Sequence, residues 1–281
     1  MSRTILSLRD PSSSRAGQKA RSTRGIDYQD VPRPVSALAD EYAPGHFDPP
    51  HHHARAQLIY STTGVMTVTT RTASYVLPPQ RAVWVPAGEM HEVHCRGKVS
   101  CRTLYVQPQA AAGLPGACQV IEVSDLLREL IVEATRIPVE YDEAGRDGRL
   151  IALLLDEIRL SRTAPLHVPM PTDHRLVRVC SAILREPAEP DRLDHWAEVA
   201  GMGRRTFTRT FRRETGVTFA NWRQNVRLME AMSRLALGQP VTRVALDVGY
   251  RSPSAFTAMF RRAFGVAPTH YLAIFAESGH A

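Results

Sequence analysis

Long apolar runs, paired cysteines and a secretion signal are all missing from this chain of 281 residues. No stretch approaches the roughly 20 apolar residues that a membrane span requires. The N-terminus has no apolar block followed by a small-residue cleavage site. The four cysteines, Cys95, Cys101, Cys118 and Cys180, are scattered without a CxxC pair, which is typical of reduced thiols in a cytosolic protein. We therefore expect a cytoplasmic protein with no membrane partner.

Lysine is absent from residues 172–281, where all 16 basic side chains are arginines and face only 10 acidic side chains. Residues 31–171 hold 13 basic and 15 acidic side chains, so the basic excess belongs to the C-terminal third. This distribution predicts a polyanion partner for that third alone. The planar fork of arginine suits phosphate and guanine better than an ammonium group does.

The first 120 residues predict a tail followed by a sheet. Residues 1–35 are rich in Ser, Arg, Pro and Gly and show little periodicity, which predicts a mobile tail. Residues 36–120 contain short Val, Thr and Tyr runs broken by Pro and Gly. This pattern is typical of an antiparallel barrel or sandwich.

Helical patterns dominate the rest of the chain. Residues 121–161 contain two amphipathic helices, over 124–136 and 149–160, with apolar stripes wider than one packing face needs. We therefore expect this pair to form the surface of a homodimer. The proline-rich residues 162–172 predict a linker. Residues 173–276 are helical in pattern throughout.

An internal repeat occupies this last helical segment. Residues 208–222 align with residues 257–271 at a fixed offset of 49. In each copy a short helix precedes a glycine, Gly201 or Gly249, and a second helix follows with two phenylalanines four residues apart. A short helix, a tight turn and a polar-faced second helix form a helix-turn-helix motif, whose second helix enters a major groove of DNA.

The helix between the two copies sets their separation. It is expected to begin after Thr218, a favourable N-cap, and to stop at Gly238. About 19 residues at 1.5 Å each give roughly 28 Å. This length can hold two recognition helices near the roughly 34 Å that separate successive major grooves. One chain could therefore read two adjacent grooves of double-stranded DNA.

The repeated unit resembles the DNA-binding domain of the AraC/XylS family of bacterial transcription regulators. The resemblance covers about 100 residues and includes "LDHWAEVAGMGRRTFTRTFRRETGVTFANW" and "VTRVALDVGYRSPSAFTAMFRRAFGVAPTHYL". It implies promoter binding through both motifs. Mapped by position, the base-reading residues of the family fall on Arg205, Thr208, Arg209, Pro253, Ser254, Thr257 and Ala258.

These side chains predict unequal roles for the two recognition helices. Arg205 and Arg209 can each pair with O6 and N7 of guanine. The second helix offers only Ser252, Ser254 and Thr257, which we expect to hold phosphates or to read DNA shape. The full predicted DNA-binding set is Arg204, Arg205, Thr208, Arg209, Arg212, Ser252, Ser254, Thr257 and Arg261.

A second candidate site begins with three consecutive histidines at residues 51–53. If residues 51–60 form one strand, alternate side chains share a face, and that face carries His51, His53, Arg55 and Gln57. A further histidine, His91, follows another strand-like run. Such a cluster suits a metal ion, an anion or a small aromatic molecule.

These pieces resemble the two motifs of the cupin barrel. The first motif, G-x5-H-x-H-x3-E-x6-G, is matched by Gly45, His51, His53 and Gly64, with Gln57 in the position of the glutamate. The second, P-x-G-x2-H, is matched by Pro86, Gly88 and His91, whereas Gln80 replaces its leading glycine and Cys95 its closing asparagine.

The cupin resemblance implies an effector or metal site made by His51, His53, Gln57 and His91. Three neutral imidazoles can bind Zn²⁺, Ni²⁺ or Fe²⁺, although a glutamine oxygen is a weaker fourth ligand than a carboxylate. A metal-free pocket for an organic effector fits the same residues. Histidines without any ligand role are a third interpretation.

Together these patterns predict an α+β protein with an N-terminal antiparallel β cupin-like barrel and a C-terminal all-α domain with two helix-turn-helix motifs. The predicted function is transcription regulation, as activator or repressor, with promoter DNA, an effector, a second copy of the chain and RNA polymerase as candidate partners. The alternative is a metal-dependent cupin enzyme with an appended DNA-binding domain. An enzyme needs an acid–base group aimed at its substrate, and only Glu89 and Glu92 lie near His91 in the sequence. We therefore expect a regulator and not an enzyme.

Overall fold

The computed structural model of the chain describes residues 21–164, 166–189 and 192–271. An antiparallel sheet with two covering helices is followed by a helical domain, which confirms the predicted α+β class. Among the described helices, none is long and apolar enough to cross a bilayer. Residues 1–20 of the predicted tail, and the end of the predicted DNA-binding domain after Tyr271, lie outside the described residues.

Nine strands form the sheet. They are β1 Val35–Tyr42, β2 Phe47–His51, β3 Ala56–Thr70, β4 Ala73–Leu77, β5 Arg81–Val85, β6 His91–Val106, β7 Gln119–Glu122, β8 Thr163–Ala164 and β9 His167–Pro169. The order across the sheet is β1-β6-β3-β5-β7-β8, while β2 pairs with β6 and β4 pairs with β3 and β9. All of these pairs are antiparallel.

The long ladder between β3 and β6 forms the centre of this sheet. It runs from Ala56 opposite Val106 to Thr70 opposite His91, with register shifts on both sides of Thr63. Gly64 has a φ of 79° at this bend, and a Cβ there would lie 2.3 Å from the carbonyl oxygen of Lys98. Only glycine fits such a close approach, which gives the closing glycine of the first cupin-like motif a physical role.

Alternate residues of β3 support two separate cores. Leu58 and Tyr60 join a buried cluster with helices α1 (Asp125–Ala134) and α2 (Arg146–Leu160). Ile59 joins the cluster on the opposite face. The period-two alternation of apolar side chains therefore places two helices on one face of the sheet and leaves the other face for the candidate pocket.

The N-terminal segment differs from the predicted tail over the residues that the structure describes. Residues 21–34 pack on the sheet, and a 3-10 turn at Gly25–Tyr28 buries Tyr28. The reason is Arg55, which is buried and donates hydrogen bonds to the carbonyl oxygens of Gln29 at 2.7 Å, Arg33 at 3.0 Å and Val31. Only part of the Ser/Arg-rich stretch can therefore be a tail.

The same residue corrects the predicted strand over residues 51–60. Strand β2 ends at His51 and strand β3 begins at Ala56, so a turn separates them. Arg55 leaves this turn toward the N-terminal segment and does not share a face with the histidines. Residue alternation cannot place side chains correctly across such a turn.

The predicted linker over residues 162–172 contains two strands of the sheet among its described residues. Strand β8 pairs with β7, and strand β9 pairs with β4. Trp222 of the helical domain also donates a hydrogen bond to the carbonyl oxygen of Pro169 at 2.7 Å. Proline is tolerated in edge strands and at strand ends, so a proline-rich composition does not distinguish a linker from this arrangement.

In the described part of the chain, helices α3 to α8 follow the sheet. They are α3 His174–Arg185, α4 Leu193–Val199, α5 Arg204–Thr215, α6 Phe219–Ala236, α7 Val241–Asp247 and α8 Pro253–Phe264. Helices α4 and α5 form one helix-turn-helix motif and α7 and α8 form the other. Gly201 and Gly249 adopt φ values of 64° and 84° in the two turns, as the repeat predicts.

The repeated phenylalanines anchor both second helices. Phe207 and Phe211 of α5, and Phe256 and Phe260 of α8, are completely buried. The joining helix α6 begins where the sequence predicts, because the Thr218 hydroxyl oxygen accepts a hydrogen bond from the backbone N–H of Asn221. The apolar anchors leave the opposite faces of α5 and α8 to polar and basic residues.

Replacing Arg55 by alanine should detach the N-terminal segment. Three backbone carbonyls lose a charged donor, and we expect the free energy of unfolding to fall by roughly 2–4 kcal/mol. Chemical denaturation measures this change, with Arg71→Ala on the surface as the matched control, expected within about 0.5 kcal/mol of the parent. Equal stabilities of the two variants would show that the segment is not held by Arg55.

Candidate nucleic-acid interface and effector pocket

The first recognition helix, α5, presents arginines to solvent. Arg205, Arg209 and Arg212 are exposed, and within the described residues no hydrogen bond or ion pair engages their guanidinium groups. The sequence-predicted Thr208 lies between them, and its hydroxyl donates to the carbonyl oxygen of Arg204 at 3.1 Å. Buried phenylalanines on the opposite face of α5 hold this basic face outward.

Arg204 is in a different situation. Its guanidinium lies 3.5 Å from a carboxylate oxygen of Asp194 in helix α4, where both side chains are exposed. An exposed ion pair of this kind contributes little to stability. The pair joins the two helices of the first motif and leaves Arg204 at the edge of the basic face.

The second recognition helix, α8, carries fewer charges at its predicted reading positions. Ser252 is its N-cap, because its hydroxyl oxygen accepts a hydrogen bond from the backbone N–H of Ala255 at 3.2 Å. Ser254 and Arg261 are exposed and Thr257 is half-buried. At exposed Ala258 the side chain is a methyl group and offers no hydrogen bond.

A wide groove of about 1110 Å³ separates the two motifs. Its walls come from α4, α5, α6 and the second motif and include Arg205, Thr208, Arg209, Arg212, Arg213, Arg223, Gln224, Arg227, Tyr250 and Met259. The structure therefore brings four of the predicted residues together at one groove. The other predicted residues, Arg204, Ser252, Ser254, Thr257 and Arg261, do not line it.

Three arginines of this groove were missed by sequence reasoning. Arg213 is exposed and belongs to a repeated arginine pair, which was a usable signal. Arg223 and Arg227 instead hold the turn after α3, donating to the carbonyl oxygens of Glu189 at 2.6 Å and Pro187 at 3.1 Å. Their role in the fold depends on a long-range contact that no local pattern reveals.

In the sheet domain, the three predicted histidines come together. His51 ends β2, His53 lies in the following turn and His91 begins β6, where it pairs with His51. One ring nitrogen from each of the three lies within 4.8 Å of the others. Gln57, at the start of β3, lines a cavity together with His51 and His53.

Backbone contacts orient two of these rings. The Nδ1–H of His91 donates to the carbonyl oxygen of Glu89 at 2.9 Å, and that of His51 donates to the carbonyl oxygen of Pro49 at 2.8 Å. These bonds leave Nε2 of both rings with a free lone pair. Nε2 of His91, Nε2 of His53 and Oε1 of Gln57 are buried without a hydrogen-bond partner among the described residues.

His53 and His91 are neutral in the physiological range. Burial, together with the neighbouring His51 and His91, lowers the pKa of His53 to about 4. Burial also lowers the pKa of His91, against the hydrogen bond to the Glu89 carbonyl, which raises it. Both rings can therefore give a nitrogen lone pair to a metal ion, or accept a hydrogen bond from a ligand, without first releasing a proton.

The two cupin-like motifs contact each other through the backbone. The N–H of Gly88 donates to the carbonyl oxygen of His53 at 2.9 Å. Gln80, which replaces the leading glycine of the second motif, has a φ of 65°, the glycine-like left-handed conformation. Gln80 therefore adopts the backbone conformation that glycine favours at this position of the motif.

His51 and His53 line a cavity of about 380 Å³, and His91 adjoins them in the histidine cluster. Its walls are partly apolar, with Leu38, Ile59, Met66 and Val93, and partly polar, with Gln57, Thr103 and Tyr105. Gln57 hydrogen-bonds the hydroxyl of Tyr105, whose pKa is strongly raised by burial. Thr103 and Tyr105 occupy alternate positions of β6 and therefore share one face of the strand. Sequence reasoning missed these two cavity residues, although their spacing was a usable signal.

This donor set fits a borderline divalent metal ion. Three imidazoles and an amide oxygen are ligands that Zn²⁺, Ni²⁺ or Fe²⁺ accepts. The buried orphan atoms on His53, His91 and Gln57 equally fit a polar organic molecule.

Known protein families match both parts of the chain. A helix-turn-helix domain model matches residues 196–274, and an AraC-like ligand binding domain model matches residues 33–193. The chain is 32% identical over 225 residues to the HTH-type transcriptional regulator NimR of Escherichia coli (strain K12), covering 80% of this chain and 82% of NimR.

Two solved structures are also similar. The DNA-binding domain of AdpA in complex with a target DNA is 33% identical and matches 37% of this chain and 96% of that one, with a TM-score of 0.35. ToxT from Vibrio cholerae O395 is 10% identical and matches 86% of this chain and 98% of that one, with a TM-score of 0.38. The matches to the two domain models and to NimR show that the chain belongs to the AraC family of DNA-binding transcriptional regulators that carry a ligand-binding domain.

Proposed function

We propose that the chain binds promoter DNA through both helix-turn-helix motifs and that an effector in the histidine cavity controls this binding. The single observation that carries the proposal is the exposure of Arg205, Arg209 and Arg212 on a recognition helix, where their guanidinium groups have no partner among the residues that the structure describes. Helices α3–α8 would form the DNA-binding unit. The sheet with α1 and α2 would form the effector-binding and dimerisation unit.

The two recognition helices would divide the work of binding. Arg205 and Arg209 lie one helical turn apart on α5 and can each form two hydrogen bonds with guanine. The N-terminal hydroxyls of α8, Ser252 and Ser254, suit phosphate oxygens near the positive end of the helix. NimR, to which the chain is similar over most of its length, is a transcriptional regulator, which supports this proposal.

Replacing Arg209 by alanine should remove specificity, whereas Thr257→Ala should mainly weaken binding. Losing a guanine contact costs about 1–3 kcal/mol, which is roughly a 5- to 150-fold rise in Kd on a site obtained by in vitro selection. Selection followed by anisotropy titration measures both effects. Arg162→Ala, an exposed arginine distant in sequence from both motifs, is the matched charge control. A larger loss of sequence preference in Thr257→Ala would reverse the proposed division.

The effector site would hold a divalent metal ion or a polar organic molecule. A bound ion would supply a fixed positive charge within the cavity. His51, His53 and His91 would hold it, and Gln57 would offer its unpaired amide oxygen. Because this ligand set is neutral, the charge of the ion would remain uncompensated, so an anionic group of an effector could complete the site.

Metal content distinguishes the two effectors. Purified without a histidine tag, the protein should carry near-stoichiometric metal by elemental mass spectrometry if the site holds an ion. Both His51→Ala/His53→Ala and His91→Ala should lose it, and the exposed His94→Ala should keep it. Gln57→Glu should bind the ion at least about tenfold more tightly, because it adds an anionic ligand. A parent protein free of metal would refute the metal site and leave the organic effector.

We infer regulation and not catalysis from the carboxylates around the cavity. Among the described residues, Asp40 and Asp48 are the acidic side chains that line it. Asp48 lies 3.1 Å from Nε2 of His46, and neither carboxylate contacts the three candidate ligands. Glu89 reaches His91 only through its backbone oxygen. Among the described residues these carboxylates therefore form no acid–base pair with the three histidines.

Dimerisation would use the helices that cover the sheet. Their inner faces are buried, yet Leu126 of α1 and Leu153 and Leu160 of α2 are 49%, 44% and 78% exposed. Leu153 and Leu160 are seven residues apart, so they lie on one face of α2. Exposed leucines in a row suit an apolar contact with a second copy of the chain.

A charge at Leu153 should therefore separate the subunits. Leu153→Glu is expected to elute as a monomer in size-exclusion chromatography at micromolar concentration, where the parent elutes as a dimer. Leu246→Glu is the matched control, because Leu246 is equally apolar and 58% exposed but belongs to α7. A monomeric parent would rule out the proposed dimer.

A further inference from the structure

We propose that Arg96, a residue of the ligand-binding domain, positions the second helix-turn-helix motif through its ion pair with Glu230 of helix α6. The inference rests on the proposed DNA-binding function and adds a residue that lies far from both recognition helices. Arg96 would act through Glu230 and would not itself touch DNA.

The first step is the burial of Glu230. Helix α6 joins the two motifs and is buried on nearly all sides, and Glu230 in its centre is only 8% exposed. A buried carboxylate needs charged partners to offset the loss of water. Arg96 from strand β6 and Arg234 from α6 itself, the latter at 2.8 Å, supply them.

The second step is the continuation of this network into the second motif. The guanidinium of Arg234 also lies 2.9 Å from a carboxylate oxygen of Asp247, the last residue of α7. Arg243 approaches the same oxygen at 3.5 Å. The charges thus alternate from the sheet to α6 and on to α7, and helix α7 packs with α8 in one buried cluster.

The third step is the incomplete packing around this contact. A cleft of about 570 Å³, lined in part by Arg96 and Glu230, lies between the sheet and the helical domain. A second cavity of about 280 Å³ lies between Leu166 of the sheet domain and Phe264 of the second motif. Apolar contacts join the sheet and the second motif in one buried cluster, and these cavities interrupt that packing. The ion pairs add a directional constraint on the position of the second motif at the interrupted packing.

The fourth step is the direction of the contact. Arg209 and Arg261 on the two recognition helices are exposed, so contact with the sheet domain does not block them. Strand β6 also carries His91 of the candidate ligand set and Val93 of the cavity wall. Strand β6 therefore links the effector cavity to Arg96, the residue that holds α6. The ion pair between Arg96 and Glu230 would change the spacing of the two recognition helices and would leave their exposure to DNA unchanged.

The test uses the full chain and a duplex obtained by in vitro selection with the parent protein. A second duplex has the half-site of the second motif scrambled. Arg96→Gln should raise Kd on the intact duplex by about 5- to 10-fold and leave Kd on the scrambled duplex within about twofold, because only the second motif loses its position. Glu230→Gln should show the same pattern, and Arg96→Lys, which keeps the charge, should restore most of the affinity.

The matched control is Arg102→Gln. Arg102 lies on the same strand, but its ion pair is with Glu41 inside the sheet domain, so both Kd values should stay unchanged. An unchanged Kd on the intact duplex in Arg96→Gln and Glu230→Gln, or an equal loss on both duplexes, would overturn the proposal.

Hydrogen exchange separates this proposal from the proposed function. Backbone amides of residues 241–264 should exchange faster in Arg96→Gln than in Arg102→Gln, with or without DNA. If selection yields no preferred sequence, the DNA-binding proposal fails, and the exchange rates still decide whether Arg96 holds the second motif. Equal exchange in the two variants would count against it.

Discussion

The antiparallel ladder between β3 and β6 is the constraint on which both halves of the molecule depend. It fixes Gln57 and Tyr105 opposite each other at one end and brings His91 to the other end. Strand β6 of this ladder also presents Arg96 to the helical domain. A one-residue slip would reverse every side chain, so the cavity and the contact with helix α6 are specified by one register.

Features that depend on local pattern were predictable from sequence. The repeat located both helix-turn-helix motifs because glycine at the turn and phenylalanines four residues apart follow directly from helix geometry. The histidine cluster was found because its members match the spacings of the two cupin motifs, and they lie at the end of β2, in the following turn and at the start of β6. Gln80 shows the limit of a motif, since a glutamine there keeps the backbone conformation expected of glycine.

Features that depend on distant partners were not predictable. Arg55 belongs to a short alternating run, yet its hydrogen bonds reach the segment around Val31. The contact between Arg96 and Glu230 joins residues 134 positions apart. The proline-rich residues 163–169 have the composition of a linker, and their pairing with β4 and β7 is decided by the edges of a sheet formed much earlier in the chain.

This pairing also decides where the chain can be divided. A fragment that ends before β8 would leave the backbone groups of β4 and β7 without their partners, and such open strand edges invite aggregation. A fragment that begins at β8 would carry two strands with no sheet to join. The ligand-binding domain should therefore be produced with residues up to at least Met170, so that β8 and β9 stay with the sheet that they complete.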